Sequence, residues 1–313
     1  MALTVLAHFV PGPKVAEFLA PEADWLDIRY CPEDDDDTFY RELPEAEVIW
    51  HVLRPISGHD LEKAPRLKLV HKMGAGVNTI DVEAATRLGI AVANMPGANA
   101  ASVAEGTVLL MLAALRRLPE LDRATREGRG WPSVPTLGET VRDIGGCTIG
   151  LVGYGNIAKI VEKIVVAMGA HVLHTSTRDD GHPGWRSLPD LLVASDIVSL
   201  HLPLTDATAG MLDRAALARM KAGAVLVNTS RGAVVDEDAL VDALSTGPLA
   251  AAGLDVFAVE PIPAGNPLLG LDNVVLTPHV SWYTADTMRR YLEHAVDNCL
   301  RLRDGRELAN KVN

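Results

Sequence analysis

Three polar groups in the last third of the sequence stand where apolar runs end. They are Arg231 in NTSRGAVVDEDAL, Glu260 in AGLDVFAVEP and His279 in LTPHVSWYT. Each run reads as a β-strand. In an open parallel sheet the strand C-termini border one crevice, so the three groups are expected to face one place. Their chemistry suits a carbonyl beside an acid group. A histidine titrates near neutral pH and can hand a proton to an oxygen that is becoming negative. A carboxylate at Glu260 beside the ring favours the imidazolium. The guanidinium of Arg231 can hold a carboxylate and polarise a ketone. Arg54, on the loop after EVIWHVL, is a weaker candidate for extra substrate charge.

A second signal lies upstream. The strand CTIGLVG runs straight into Gly153-Tyr154-Gly155-Asn156-Ile157-Ala158, a G-x-G-x-x-A sequence. Gly153 permits the tight turn, Gly155 a close approach of the backbone to a pyrophosphate, and Ala158 close packing of helix on sheet. A helix follows at once, with Ile157, Ile160, Val161, Ile164, Val165 and Met168 on one face. Its N-terminal amides and dipole suit a dinucleotide's phosphates. The next strand, AHVLHTS, ends in Ser176-Thr177-Arg178, twenty-three residues past Gly153. NAD enzymes usually carry an acid there for the ribose hydroxyls. Without one, a 2′-phosphate is not repelled, and the hydroxyls and Arg178 can bind it. NADP is therefore the preferred cofactor. The other reading has Asp179 or Asp180 fold back onto the 2′-hydroxyl of NAD.

These groups need a scaffold, and the pattern supplies two. In the first 96 residues, LTVLAHF, LDIRYC, EVIWHVL, LKLVHKM and IAVAN read as strands, with PKVAEFLA, HDLEKA and DVEAATRLG as helices between them. From Cys147 a second series gives six strands, CTIGLVG, AHVLHTS, DIVSLHLP, AVLVNTS, LAAAGLDVF and NVVLTPH. Asp213 is expected to cap DRAALARMKAG, and Asp236 to cap DEDALVDALSTG. Such alternation means parallel sheets covered on both faces. Residues 101–118 read as one long helix, with Ser102 as N-cap and Glu105 completing a capping box. The stretch from Gly128 to Gly138 reads as an arm or subunit contact. The helix after His279 has no strand of its own and is expected to return to the first domain. The predicted division is 1–98 plus 285–313 against 99–284, with hinges near 97–100 and 282–286.

At 313 residues and 48% hydrophobic, the chain can fill two cores. A net charge of −12 disfavours nucleic acid and anionic membranes as partners, and requires a local cation for any anionic substrate. Cys31, Cys147 and Cys299 lie far apart with no metal-ligand spacing, which fits a reduced, cytoplasmic protein. The acidic run Glu33 to Asp37 holds no His or Cys and reads as a solvated loop, not a metal site. The apolar start meets Pro11 and Pro13 and reads as a strand.

Taken together, HKMGAGVNTID, SVAEGTVLLMLAALRRLP, the glycine fingerprint, DIVSLHLPLTDAT, MKAGAVLVNTSRGAVVDEDAL, LAAAGLDVFAVEP and NVVLTPHVSWYT resemble the D-2-hydroxyacid dehydrogenase family over essentially the whole chain. The serine at the second strand tip is similar to the NADP-using glyoxylate/hydroxypyruvate reductase branch. The resemblance implies two doubly wound parallel-sheet α/β domains, Rossmann-like and flavodoxin-like, with a cleft between them. It implies hydride transfer between NADPH and a small 2-keto acid, with His279 as acid/base, Glu260 as its partner and Arg231 on the substrate. It also implies that the amides of Ala75, Gly76 and Val77 bind the substrate carboxylate and that Asp255 accepts from the nicotinamide carboxamide. A homodimer through residues 101–140 follows from the same analogy. Further cofactor contacts are expected from His201, Pro203, Thr208, Thr229 and Ser230, with Asn228 and Ser230 mainly shaping their turn. Trp282 is expected to line the substrate pocket or cover the hinge. Formate enzymes resembling the family carry Gln at the position of Glu260, which argues against formate. A second reading is a cofactor-sensing scaffold, since the C-terminal binding protein corepressors resemble the family and retain the triad. The sequence shows no long tail or interaction-motif extension, which favours an enzyme.

Overall fold

The computed structural model describes residues 2–131, 138–179 and 181–313. The chain divides into two compact units, Met1–Asn99 with Thr284–Asn313, and Ala100–Tyr283. Each has its own parallel sheet.

The first unit runs β1 (Leu3–Ala7), α1 (Pro13–Leu19), β2 (Leu26–Tyr30), α2 (Asp36–Glu42), β3 (Val48–His51), α3 (Gly58–Glu62), β4 (Leu69–Lys72), α4 (Val82–Arg87) and β5 (Ala91–Ala93). The strands lie in the order β2-β1-β3-β4-β5, all parallel, which is the flavodoxin-like order. Strands β1, β3 and β4 are buried along their whole length, as strands covered on both faces must be. The C-terminal helix Ala285–Arg303 belongs to this unit. Arg290 donates to the Ala98 carbonyl (2.7 Å), and buried Asn298 contacts His71 (3.2 Å) on β4.

The acidic run departs from expectation. It is a solvated loop only in part: Asp34, Asp36 and Asp37 are exposed, but the run enters a helix. Asp35 caps α2 by accepting from Thr38 N–H (2.9 Å), and Asp36 and Asp37 fill the helix's first turn, where negative charge favours the helix dipole. Glu33 accepts from the backbone N–H groups of Leu53 and Arg54. A run of like charges looks solvated in sequence because its partners lie eighteen to twenty-one positions away.

The second unit runs α5 (Ala100–Leu115), α6 (Leu118–Arg126), β6 (Thr148–Val152), α7 (Asn156–Ala167), β7 (His171–Thr175), α8 (Leu188–Ala194), β8 (Ile197–Leu200), α9 (Arg214–Leu217), β9 (Ala224–Asn228), α10 (Glu237–Ser245), β10 (Leu249–Leu254) and β11 (Val274–Leu276). The order is β7-β6-β8-β9-β10-β11, all parallel. Beyond β7, Trp185 makes a single parallel bridge to His174, in the place of the third strand in the doubly wound order 3-2-1-4-5-6.

Three expectations change here. The long helix begins at Ala100, so Ser102 lies within its first turn and is buried. It stops at Leu115, Arg117 turns left-handed (φ 53°), and Pro119 opens a separate helix instead of following one, since proline is tolerated in a first turn. Asp213 does cap α9, but that helix ends after four residues, well short of Gly223. On α7 the buried residues are Ala158, Val161 and Val165, while Met168 is 40% exposed. The arm expected from Gly128 to Gly138 falls mostly outside the described residues. Among the described residues no helix is long and apolar enough to cross a membrane.

Candidate functional site

The site is built on three consecutive strand ends of the second unit. β9 stops at Asn228, which is 1% exposed. Its side-chain oxygen accepts from Ser230 N–H (3.0 Å) and Ser230 hydroxyl (2.8 Å), and its amide donates to the Arg231 carbonyl (2.9 Å). One side chain thus holds the whole Thr229–Arg231 turn. The next residue has to be glycine. A Cβ on Gly232 would sit 1.9 Å from the Phe257 carbonyl carbon and 2.0 Å from its oxygen. The Arg231 turn therefore lies directly against the backbone of the segment leading to Glu260.

β10 ends in Leu254, and Asp255 follows, 1% exposed. Its Oδ1 accepts from Thr277 hydroxyl (2.6 Å) and Val280 N–H (2.9 Å), and its Oδ2 from Ser281 N–H (3.0 Å). Its backbone carbonyl accepts from His279 N–H (2.8 Å). Asp255 grips the turn after β11 from inside, and His279 is held there in a left-handed conformation (φ 55°). A non-glycine residue in that region is uncommon and needs such surrounding constraints.

Glu260 and His279 meet. Nδ1 of the ring lies 2.7 Å from Glu260 Oε2, with the ring 17% and the carboxylate side chain 31% exposed. Glu260 Oε1 accepts from Phe257 N–H (2.9 Å), so both oxygens are fixed. Burial pushes the Glu260 pKa upward, but the hydrogen bond and charge of His279, the Phe257 amide and the charge of Arg231 outweigh it, and the net direction is down. Burial lowers the Arg231 pKa, against the opposing pull of Glu260. A guanidinium remains charged through such a shift. The three groups are thus electrostatically linked within one unit.

Two positioning residues were not singled out in the sequence. Glu237, the first residue of α10, accepts from Ala258 N–H (3.0 Å) and from the Asn266 amide (2.7 Å), and so ties the segment before Glu260 to a helix. It reads in sequence as an ordinary first-turn acid. Gly232 was legible only as the residue after Arg231.

The nucleotide loop has the expected form. Gly153 has φ 91°, and a Cβ there would meet the His201 carbonyl oxygen at 2.5 Å. Gly155 is the N-cap of α7, makes no side-chain cap, and a Cβ there would point into open space. An uncapped helix N-terminus with an open approach fits a pyrophosphate. Tyr154 stacks on His174 (ring centroids 3.7 Å apart) and donates to Glu162. Ile157 lies in the first turn of α7. At the β7 tip Ser176 donates to the Arg178 carbonyl (2.6 Å), with Thr177 and Arg178 exposed. Asp179 accepts from Gly181 N–H (2.8 Å), and Asp180 lies outside the described residues. His201 contacts Ser199 (2.9 Å), and burial lowers its pKa to about 4. Thr208 donates to the Pro203 carbonyl (2.7 Å), closing the loop after β8. Trp282 packs edge-on against Tyr283.

The first unit holds the remaining candidates. The carbonyls of Gly74 and Val77 accept from Met95 N–H (2.8 Å) and Ile80 N–H (2.9 Å), and that of Ala75 from the Asn94 amide (2.7 Å). The carbonyls on either side of Gly76 are thus already engaged within the unit. Arg54 is held by Asp36 (2.7 and 2.9 Å), its guanidinium 4.0 Å above the Phe39 ring and its side chain 13% exposed.

The chain belongs to the D-isomer specific 2-hydroxyacid dehydrogenase family, whose NAD binding domain matches residues 108–281. These are nicotinamide-dependent oxidoreductases acting on CH–OH groups. The chain is 41% identical to the glyoxylate reductase of Aeropyrum pernix, over 88% of this chain and 86% of that one. It is 39% identical to the D-3-phosphoglycerate dehydrogenase of Mycobacterium tuberculosis, over 90% of this chain and 54% of that one. It spans about half the length of the mycobacterial relatives it matches. Among solved structures, the TT0316 protein of Thermus thermophilus superposes with a TM-score of 0.90 at 36% identity, covering 99% of this chain and all of that one.

Proposed function

We propose that this protein reduces a short 2-keto acid, glyoxylate or hydroxypyruvate, with NADPH. The observation that carries the reading is the His279–Glu260 pair, 2.7 Å apart, with the Arg231 turn packed at Gly232 against the backbone that leads to Glu260. A bound nicotinamide supplies the hydride. Hydride arrival at the keto carbon leaves charge on the oxygen, and the residues deal with that charge. With Nδ1 engaged by Glu260, Nε2 is the ring atom that carries the proton to the oxygen. Glu260 fixes the orientation of the ring through Nδ1. Arg231 binds the substrate carboxylate and offsets the developing negative charge. The same proposal keeps the amides of Ala75, Gly76 and Val77 as carboxylate donors of the first unit.

The preference for NADPH rests on the β7 tip, where Ser176, Thr177 and Arg178 stand and Asp179 is engaged by its own loop. A homodimer through residues 101–140 and a cytoplasmic location belong to the same reading. The free, buried Cys31, Cys147 and Cys299 support the latter. The test is nucleotide oxidation with glyoxylate, hydroxypyruvate and 3-phosphohydroxypyruvate, the last because of the phosphoglycerate dehydrogenase likeness. Turnover of the first two, slowed about 10²–10⁴-fold in His279→Ala, is expected. No turnover with any of the three defeats the enzyme reading. A KM preference for NADH beyond about tenfold defeats the NADPH assignment.

A further inference from the structure

Thr107 is fully buried in the middle of α5, and its hydroxyl touches two oxygens. One is the Val103 carbonyl at 2.7 Å, the other the Thr229 hydroxyl at 2.8 Å. A hydroxyl has one proton to give, and a carbonyl can only accept. Thr107 therefore spends its proton on Val103. Its contact with Thr229 closes only when Thr229 is the donor. That leaves Thr229, which is half-buried, with its lone pairs as the groups it can offer elsewhere.

Thr229 stands two residues before Arg231, at the reacting end of the crevice. Asp255, expected from the sequence to accept from the cofactor's carboxamide, is 1% exposed and already accepts three hydrogen bonds from the His279 turn. We propose that Thr107 presets Thr229 as a hydrogen-bond acceptor for an amide N–H at the nicotinamide end of the cofactor site. Thr107 is then a positioning residue, acting through Thr229. The inference rests on the cofactor placement proposed above. It does not depend on which keto acid is reduced, nor on NADP over NAD.

The test is binding, without substrate. NADP and NAD are each titrated against their 3-acetylpyridine analogues, which replace the carboxamide NH₂ by a methyl group and so delete the donor. Kd is read by calorimetry. Wild type is expected to prefer the natural nucleotide by about fivefold, the size of one neutral hydrogen bond. Thr229→Val should bring the two within about twofold. Thr107→Val should do the same, because Thr229 is then free to turn its proton outward. Thr107→Ser should restore the preference. No preference in wild type, or a full preference kept in both valine variants, overturns the proposal. Should Thr107→Val fail to fold, the half-buried Thr229→Val decides alone. Failure of every keto acid to turn over, with nucleotide discrimination intact, would count against the function and not against this pair.

Discussion

The C-terminal edges of the two parallel sheets are held in different ways. In the second unit, acids grip backbone N–H groups. Asp255 takes Val280 and Ser281, Glu260 takes Phe257, and Glu237 takes Ala258. In the first unit an acid does this too, Glu33 taking Leu53 and Arg54, but bases also grip carbonyls. Lys72 donates to the Val52 carbonyl and the His51 ring to that of Arg54 (2.7 Å). The acid-held edge ends in the Arg231 guanidinium and the His279 ring, donors suited to an anionic substrate. The base-held edge lies beside a loop whose carbonyls are already engaged within the unit.

The largest expected effect breaks the acid-held edge without touching a charge. Gly232→Ala would place a methyl group inside van der Waals contact with the Phe257 backbone, which cannot swing aside as a flexible side chain can. Activity should fall at least 100-fold, since misplacement by about 1 Å is enough for that. The first unit should keep its amide protection in hydrogen exchange. Near-normal turnover in this variant would mean that the contact between the two turns is dispensable.

Next come the groups themselves. His279→Ala should lower kcat by about 10²–10⁴, the usual range for general acid–base help. Glu260→Gln keeps the Phe257 contact but replaces the carboxylate that meets the ring at Nδ1. A loss between about 10- and 100-fold in kcat, with little change in KM for the nucleotide, is expected if Glu260 works through the ring. An equal rise in nucleotide KM would instead point to a cofactor contact.

Why these residues were legible and others were not follows from how each is held. Arg231, Glu260 and His279 break apolar strand patterns locally, so sequence exposes them. The glycine turn is likewise local, and both sheets follow from alternating strands and helices. Gly232 and Glu237 act across long gaps, and nothing in their neighbourhood marks them. Asp255 was visible as a residue, but its inward direction depends on a turn more than twenty positions away. The acidic run misled for the same reason: its sequence shows the repulsion, whereas the partners that relieve it lie on the loop after β3. Helix ends failed where a proline could open a helix as well as close one, as at Pro119.

Acid should separate the two edges. Burial lowers the pKa of His8 to about 4 and of His71 to about 3, and that of His51 as well, all in the first unit. The second unit has His201 at about 4. The unfolded chain binds these protons near pH 6.5, and the folded chain only near the lowered values. Stability is therefore full above about pH 6.5 and falls as pH drops toward 4, by on the order of 3 kcal/mol for a shift like that of His8. Glu260 contributes lower down, since its lowered pKa keeps its pairing intact until pH falls through the folded value. Hydrogen exchange between pH 7 and 4.5 should show β1, β3 and β4 losing protection before β8 to β10. The reverse order would mean that the buried imidazoles are not what limits the first unit.

The smallest effect concerns Arg54, which the sequence offered as substrate charge and the structure places in a partnership with Asp36 over Phe39. Asp36 is 67% exposed, so the ion pair itself contributes little. The stacking on Phe39 adds roughly 0.5–1 kcal/mol. Arg54→Leu should thus lower Tm by only a few degrees and change KM for the keto acid less than about threefold. Arg54→Lys should not rescue the stability, because an ammonium does not lie flat on the ring or fork onto one carboxylate. A KM rise beyond about tenfold, with Tm unchanged, would move Arg54 from the support of the base-held edge to its function. The contrast between the two edges would then be one of degree, since both would present a cation to the substrate.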